Sequence, residues 1–229
     1  MDKKIKAIIL CGGKGLRLRP RSLDIPKPLI QIKGKPILEY LINQLEMSNI
    51  SEYIIAAGYK SEKISDYFLQ TKFRKKVTIV DSGDVSIMLR IKDCLKEIKN
   101  DEDFMVLYGD TLADIDINSI HNSFYKNKKK SLVSLYKFKS PFGIMDIDQY
   151  NIVNNYQEKP VLDKWINIGY FMFSGSLFRN ISDFNKFEDF LSYLIEIKEL
   201  VAYTHNGIHY TVNTEKELQD LTENIEIFN

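Results

Sequence analysis

Between Ile5 and Pro28 the chain reads IKAIILCGGKGLRLRPRSLDIPKP, and this stretch carries the residue types best suited to chemistry. Its apolar run ends at Leu10, and Gly12, Gly13 and Gly15 follow at once. Glycines let backbone N–H groups approach a ligand with no β-carbon in the way, and a concavity of successive N–H groups attracts anions, phosphate above all. Arg17 and Lys27 bring two positive charges to the same loop. Pro26 and Pro28 stiffen the backbone on either side of the lysine. Strand, glycine loop, arginine and clamped lysine make a polyphosphate cradle. The glycines alone would also suit an ordinary strand-to-helix turn, and their spacing matches neither GxGxxG nor GxxxxGKS/T.

A second position of this kind is Asp110, which follows Gly109 at the end of the apolar run Phe104-Met105-Val106-Leu107-Tyr108. Ligands bind at the carboxyl edge of open α/β sheets, and a carboxylate there suits Mg²⁺. Position alone also allows a helix or turn cap. Asp114 and Asp116 read as turn and N-cap residues, although Asp114-Ile115-Asp116 is also a DxD string of the kind a nucleotide-sugar-dependent glycosyltransferase would use. Cys11 sits inside the glycine loop, where a small residue is required and no histidine is near in sequence. His121, His205 and His209 show no metal-ligand spacing with the cysteines.

These positions need a scaffold, and the pattern supplies one. Strands are expected at 5–10, 53–57, 77–80, 104–108 and 131–138. Amphipathic helices are expected from Pro36 to Leu45, from Ser61 (as cap) to Phe68, over 85–98 and over 117–125. Five strand–helix alternations imply an α/β fold with a parallel sheet. From about residue 139 the rhythm changes to short strands at 143–147, 152–158 and 166–173. Helices near 175–180 and 187–197 follow, then strands 201–205 and 208–212 and a C-terminal helix with Leu218, Leu221, Ile225 and Phe228.

With 229 residues and a formal net charge of +1, the chain is large enough for a real core and gives no electrostatic reason to bind nucleic acid or an anionic membrane. Its apolar runs fall far short of the roughly 20 residues that span a bilayer. Cys11 and Cys94, the only cysteines, read as free thiols of a cytoplasmic protein.

The string GGxGxRLxP followed by PKP resembles the signature of the sugar-phosphate nucleotidyltransferases, which join an NTP to a phosphorylated sugar and release pyrophosphate. The resemblance continues nearly to the C-terminus through Gly58-Tyr59-Lys60, YGDTLADIDI, FGIMDI and YQEKP. It is strongest to the glucose-1-phosphate cytidylyltransferase branch, which the segment TIVDSGDVSIMLRIKDCL also resembles. It implies one nucleotidyltransferase domain over 1–229, with an NTP-binding half (1–138) and an acceptor-binding half (139–229). The implied fold is a Rossmann-like, mixed, mostly parallel sheet flanked by helices, the nucleotide-diphospho-sugar transferase fold.

The resemblance also implies roles. Leu10, Gly12, Gly13, Gly15, Arg17, Lys27, Gly109 and Asp110 would hold the nucleotide, with Arg17 and Lys27 catalytic. Asp81, Gly83, Ser86 and Arg90 would surround the base. Gly143, Glu158, Lys159, Asn167 and Gly169 would frame the acceptor, a sugar 1-phosphate or a related phosphorylated sugar or polyol. Asp110 would hold Mg²⁺. CTP is the implied nucleotide, with a guanylyltransferase acting on a heptose 1-phosphate as the alternative, and exposed faces of the second half would suit a homo-oligomer.

The chain departs from the pattern three times, first in lacking the longer insertion of the cytidylyltransferase branch between residues 72 and 77. Met88 and Leu89 stand where the branch has Gly-Gly before Arg90. Asn213, in the run His209-Tyr210-Thr211-Val212-Asn213-Thr214, takes the place of the second metal-binding Asp, and a neutral amide is a weaker Mg²⁺ ligand. A non-catalytic nucleotide-binding subunit is the reading the latter two departures would favour.

Overall fold

The apolar run at the start of the chain becomes β1 (Ile5–Leu10) in the computed structural model, which describes residues 4–99 and 101–228. Three 3-10 turns, Leu16–Leu18, Arg21–Leu23 and Lys27–Leu29, carry the backbone from the glycines to a two-residue hairpin of β2 (Gln31–Ile32) and β3 (Lys35–Pro36). Then come α1 (Ile37–Glu46), β4 (Ile50–Ala57), α2 (Ser61–Leu69), β5 (Val77–Asp81), α3 (Ile87–Leu95) and β6 (Phe104–Tyr108). The second half adds β7 (Thr111–Ala113), α4 (Ile117–Asn127), β8 (Ser131–Lys139), β9 (Ile144–Ile147), β10 (Val153–Gln157) and β11 (Val161–Phe173). It closes with α5 (Phe178–Ser182), α6 (Phe187–Glu196), β12 (Leu200–His205), β13 (His209–Thr211) and α7 (Glu215–Asn224).

Seven strands form one sheet in the order β12-β8-β11-β6-β1-β4-β5. β6, β1, β4 and β5 are mutually parallel, and β12 is parallel to β8. β11 alone runs antiparallel to both of its neighbours, β6 and β8. The sheet is therefore mixed and mostly parallel, as expected. The five strands expected to be parallel, β1, β4, β5, β6 and β8, do share one direction, but the reversed β11 separates β8 from β6. Alternation along β1 supplies both faces: Ile5, Ala7 and Ile9 pack with α1, α2, α4 and α7, while Ile8 packs with α3 and α6.

Several boundaries shifted for local reasons. α3 starts at Ile87 because the Ser86 hydroxyl accepts the Leu89 N–H as an N-cap. Ser61 does not cap α2: Lys60, at φ 53°, precedes the helix, and the Ser61 hydroxyl donates to Asp81 at 2.5 Å. β13 leaves the main sheet to pair with β7, a three-residue strand too short to show a period. Asp116 is the N-cap of α4, as expected. Among the described residues no helix is long and apolar enough to cross a membrane.

Candidate active site

The glycine loop leaves β1 along a defined path. Cys11 N–H donates to Ala56 at 2.9 Å, Tyr59 N–H donates to Gly12 at 3.3 Å, and the Ser22 hydroxyl donates to the Gly15 carbonyl at 2.7 Å. Gly15 sits at φ 60°, a conformation that favours glycine, while a β-carbon at Gly13 would meet only open space. The 3-10 turns then fold Arg17 and Lys27 back beside the strand end. Lys27, 8% exposed, lies between two prolines as the sequence requires.

Four side chains converge there. The Lys27 ammonium donates to Asp110 Oδ2 and, at 3.0 Å, to Asn213 Oδ1. Arg17 Nη2 donates to the same Asn213 oxygen at 3.0 Å. They line an open cleft of about 370 Å³ together with Leu10, Gly13 and Gly15. The cleft continues past Gly12, Lys14, Asp84, Arg90, Tyr108 and Thr211. Two cations and a nest of backbone on one wall facing a carboxylate on the other can bind and polarise a polyanion.

The four positions expected around the base differ in what they can reach. Asp81 accepts from Ser61 and from Gly83 N–H at 2.9 Å, and these bonds hold its carboxyl below the ordinary range. Ser86 is committed to the α3 cap and to the Asn185 carbonyl. Gly83, at φ 68°, is the turn between them. Arg90 borders the cleft but is 5% exposed, donates to the Ala57 carbonyl, and fills the space that side chains at Gly12 and Gly58 would need. Burial lowers its pKa, against the opposing charges of Asp84 and Asp81. Asp84, paired with Lys14 at 2.5 Å, faces the cleft instead.

On the acceptor side, Asn167 Nδ2 donates to the Tyr108 hydroxyl at 3.4 Å and Asn167 Oδ1 accepts from Gly169 N–H at 2.7 Å. Gly169, at φ 79°, lies so close to the Tyr108 ring that a β-carbon would overlap it. Both residues thus reach the cleft wall through Tyr108. Gly143, Glu158 and Lys159 sit together at the foot of the β9–β10 hairpin. There the Tyr156 ring covers Gly143, the Tyr156 hydroxyl donates to Glu158, and the Lys159 ammonium is 3.8 Å from the same carboxylate. None of these three borders the cleft around Asp110.

Tyr108, Lys14, Asp84 and Thr211 were not singled out from the sequence. Tyr108 could have been, as the last strand residue before Gly109-Asp110. The Lys14–Asp84 pair spans 70 positions and has no sequence signal.

Asp114 is taken up by the Ile208 N–H at 2.5 Å and by His205 at 2.9 Å, and Asp116 by its helix cap, so the Asp114-Ile115-Asp116 string is committed to structure. Cys11 and Cys94 are buried free thiols. Burial raises the Cys11 pKa far above the ordinary thiol value and pushes Cys94 up to about 12, which removes the thiolate a nucleophile needs. Among the described residues no group of three or more His, Cys, Asp or Glu side chains is placed to hold a metal. Asp110 and Asn213 do present two oxygens around one cation, the Lys27 ammonium. Hard oxygens in that number suit Mg²⁺, which keeps waters and takes phosphate oxygens for the rest of its shell.

Residues 6–214 match the family model described as "Nucleotidyl transferase". The chain is 32% identical over 236 residues to the glucose-1-phosphate cytidylyltransferase of Salmonella typhi, covering 92% of this chain and 91% of that protein. It is 33% identical over 193 residues to the D-glycero-alpha-D-manno-heptose 1-phosphate guanylyltransferase of Campylobacter jejuni, covering 82% and 85%. The crystal structure of HddC from Yersinia pseudotuberculosis complexed with GMP-PN superposes with a TM-score of 0.75 at 25% identity, over 96% of this chain and 99% of that one. With its glycine loop, paired cations and opposing carboxylate in one cleft, the chain belongs to the nucleotidyl transferase family, as a sugar-phosphate nucleotidyltransferase.

Proposed function

We propose that the chain transfers a cytidylyl group from CTP to a sugar 1-phosphate or a related phosphorylated sugar or polyol, giving a nucleoside diphosphate sugar and pyrophosphate. The observation that carries this reading is the meeting of Arg17, Lys27, Asp110 and Asn213 at the mouth of the glycine loop. The acceptor phosphate is already an anion, so the protein need supply no nucleophile. A phosphate oxygen attacks the α-phosphorus in line, the bond to the β-phosphate bridging oxygen breaks, and pyrophosphate leaves. The protein's task is to align two polyanions and to stabilise charge on the leaving group.

Backbone N–H groups at Gly12, Gly13 and Gly15 and the Arg17 fork would hold the β- and γ-phosphates, since a planar guanidinium matches phosphate oxygens two at a time. Lys27, released from Asp110 as phosphate arrives, would follow the α-phosphate and the leaving group. Asp110, with the Asn213 amide, would hold Mg²⁺, which when bound neutralises charge on the phosphates. Asn167 and Gly169 would shape the sugar side against Tyr108, and Lys159 would draw in the acceptor phosphate from its exposed position.

A panel of NTPs against sugar 1-phosphates, read as pyrophosphate release, tests this. CTP with glucose 1-phosphate is the expected pair. The likeness to the heptose 1-phosphate guanylyltransferase and to HddC with GMP-PN makes GTP with a heptose 1-phosphate the second reading. Pyrophosphate from no combination would reject both.

A further inference from the structure

Asp110 is held at both carboxylate oxygens. Oδ2 accepts from Lys27, and Oδ1 accepts from the Thr111 hydroxyl at 3.3 Å. Thr111 Oγ1 is 3.2 Å from Thr211 Oγ1, its register partner across the β7–β13 pair. Thr211 Oγ1 is in turn 3.0 Å from His209 Nε2.

The polarity of this chain follows from simple counting. A carboxylate only accepts, and a hydroxyl has one proton to donate. Thr111 gives its proton to Asp110, so it must accept from Thr211. Thr211 has then used its own proton, so it must accept from His209. The imidazole therefore carries a proton on Nε2. Burial, with His205 nearby, lowers the His209 pKa to about 4, so near pH 7 the ring is neutral with a single N–H.

We propose that His209 and Thr211 are positioning residues for the transfer reaction, fixing Asp110 Oδ1 through Thr111 so that Oδ2 stays turned into the cleft. The proposal rests on the reading of Asp110 as the metal-holding carboxylate of the transfer site. Hydrogen bonds in series polarise one another in a low-dielectric setting, so a break two links away is felt at the carboxylate.

The test has a part that needs no turnover. In the substrate-free protein with ¹⁵N-labelled histidine, NMR should show His209 protonated at Nε2, and Thr211→Val should change that tautomer balance. A wild-type His209 protonated at Nδ1 would overturn the relay. In the pyrophosphate assay, Thr211→Val and His209→Phe should each lower kcat about tenfold, the size of one lost hydrogen bond, with KM for the NTP within about twofold. Thr211→Ser, which restores the hydroxyl, should recover kcat. His209→Gln, which offers an amide N–H, should fall between. A Thr211→Val protein that matches wild-type kcat would sink the relay while leaving the transfer reaction intact. An inactive wild type with the Nε2 tautomer would sink the transfer reading and leave the relay standing as geometry alone.

Discussion

Arg90 donates a guanidinium proton to the carbonyl of Ala57 at the end of β4, directly under the glycine loop. A β-carbon at Gly12 or Gly58 would overlap that guanidinium, so loop and cation fit one another with nothing to spare. Gly12→Ala should cost about 1–3 kcal/mol of stability, the usual penalty of overpacking, and should weaken nucleotide binding as the loop is pushed outward. Thermal melting and nucleotide titration of the same variant would show both. A melting point equal to wild type would mean that Arg90 gives way freely.

Lys27 is buried against Asp110, and the proposed reaction puts its ammonium at the α-phosphate. Lys27→Ala should lower pyrophosphate release by on the order of 10² to 10³ while leaving nucleotide binding largely in place. Turnover at the wild-type rate would reject its role.

Asn213 offers one neutral oxygen to two cations. Asn213→Asp adds a charge there, which strengthens a metal site while tightening the grip on Lys27 and Arg17. The Mg²⁺ concentration for half-maximal activity should fall by about tenfold, the effect of roughly 1.4 kcal/mol out of the larger pairwise attraction expected at a semi-exposed site. Nucleotide affinity without metal should fall as well. A Mg²⁺ titration that does not move would place Asn213 outside the metal's reach.

His209 links stability to pH. Its folded pKa of about 4 lies below the ordinary histidine value of about 6.5, so between these values the unfolded chain binds the proton and the native one does not. Stability is complete above pH 6.5 and is lost as pH falls towards 4, by no more than about 3 kcal/mol. His209→Gln should flatten melting temperature against pH in that window. An unchanged slope would place the acid sensitivity elsewhere.

Cys11 and Cys94 should resist iodoacetamide at pH 8 in the folded protein and react once it is unfolded, because their raised pKa values leave almost no thiolate. Cys11→Ala should keep transfer activity. Loss of activity with normal stability would assign a chemical role to the thiol.

The meeting of the glycine loop with Arg17 and Lys27 was legible because its determinants are local: an apolar strand, three glycines, and a lysine between prolines within 24 positions of one another. The sheet was legible for the same reason as far as β6, because each of β1, β4, β5 and β6 is dominated by a short apolar run. A strand was expected over 166–173, within β11, but its reversed direction was not, because that is set by pairing with β8 and β6 rather than by its own pattern. Asp81 and Ser86 show the limit on the site side. Their types suit ligand contact, yet a hydroxyl or carboxylate beside a turn finds backbone and side-chain partners first, and those partners come from the local turn geometry rather than from residue type.

The single reversed strand has a consequence for how such a chain can change over time. β11 enters from the β9–β10 hairpin with an exposed, irregular end and finishes buried beside β6, whose next residues hold Asp110. Its inner part, Tyr170 to Phe173, is locked by neighbours on both sides, while its outer part and the hairpin before it face water. Substitutions and insertions can therefore accumulate at the outer end without disturbing the buried pairing of the inner one with β6.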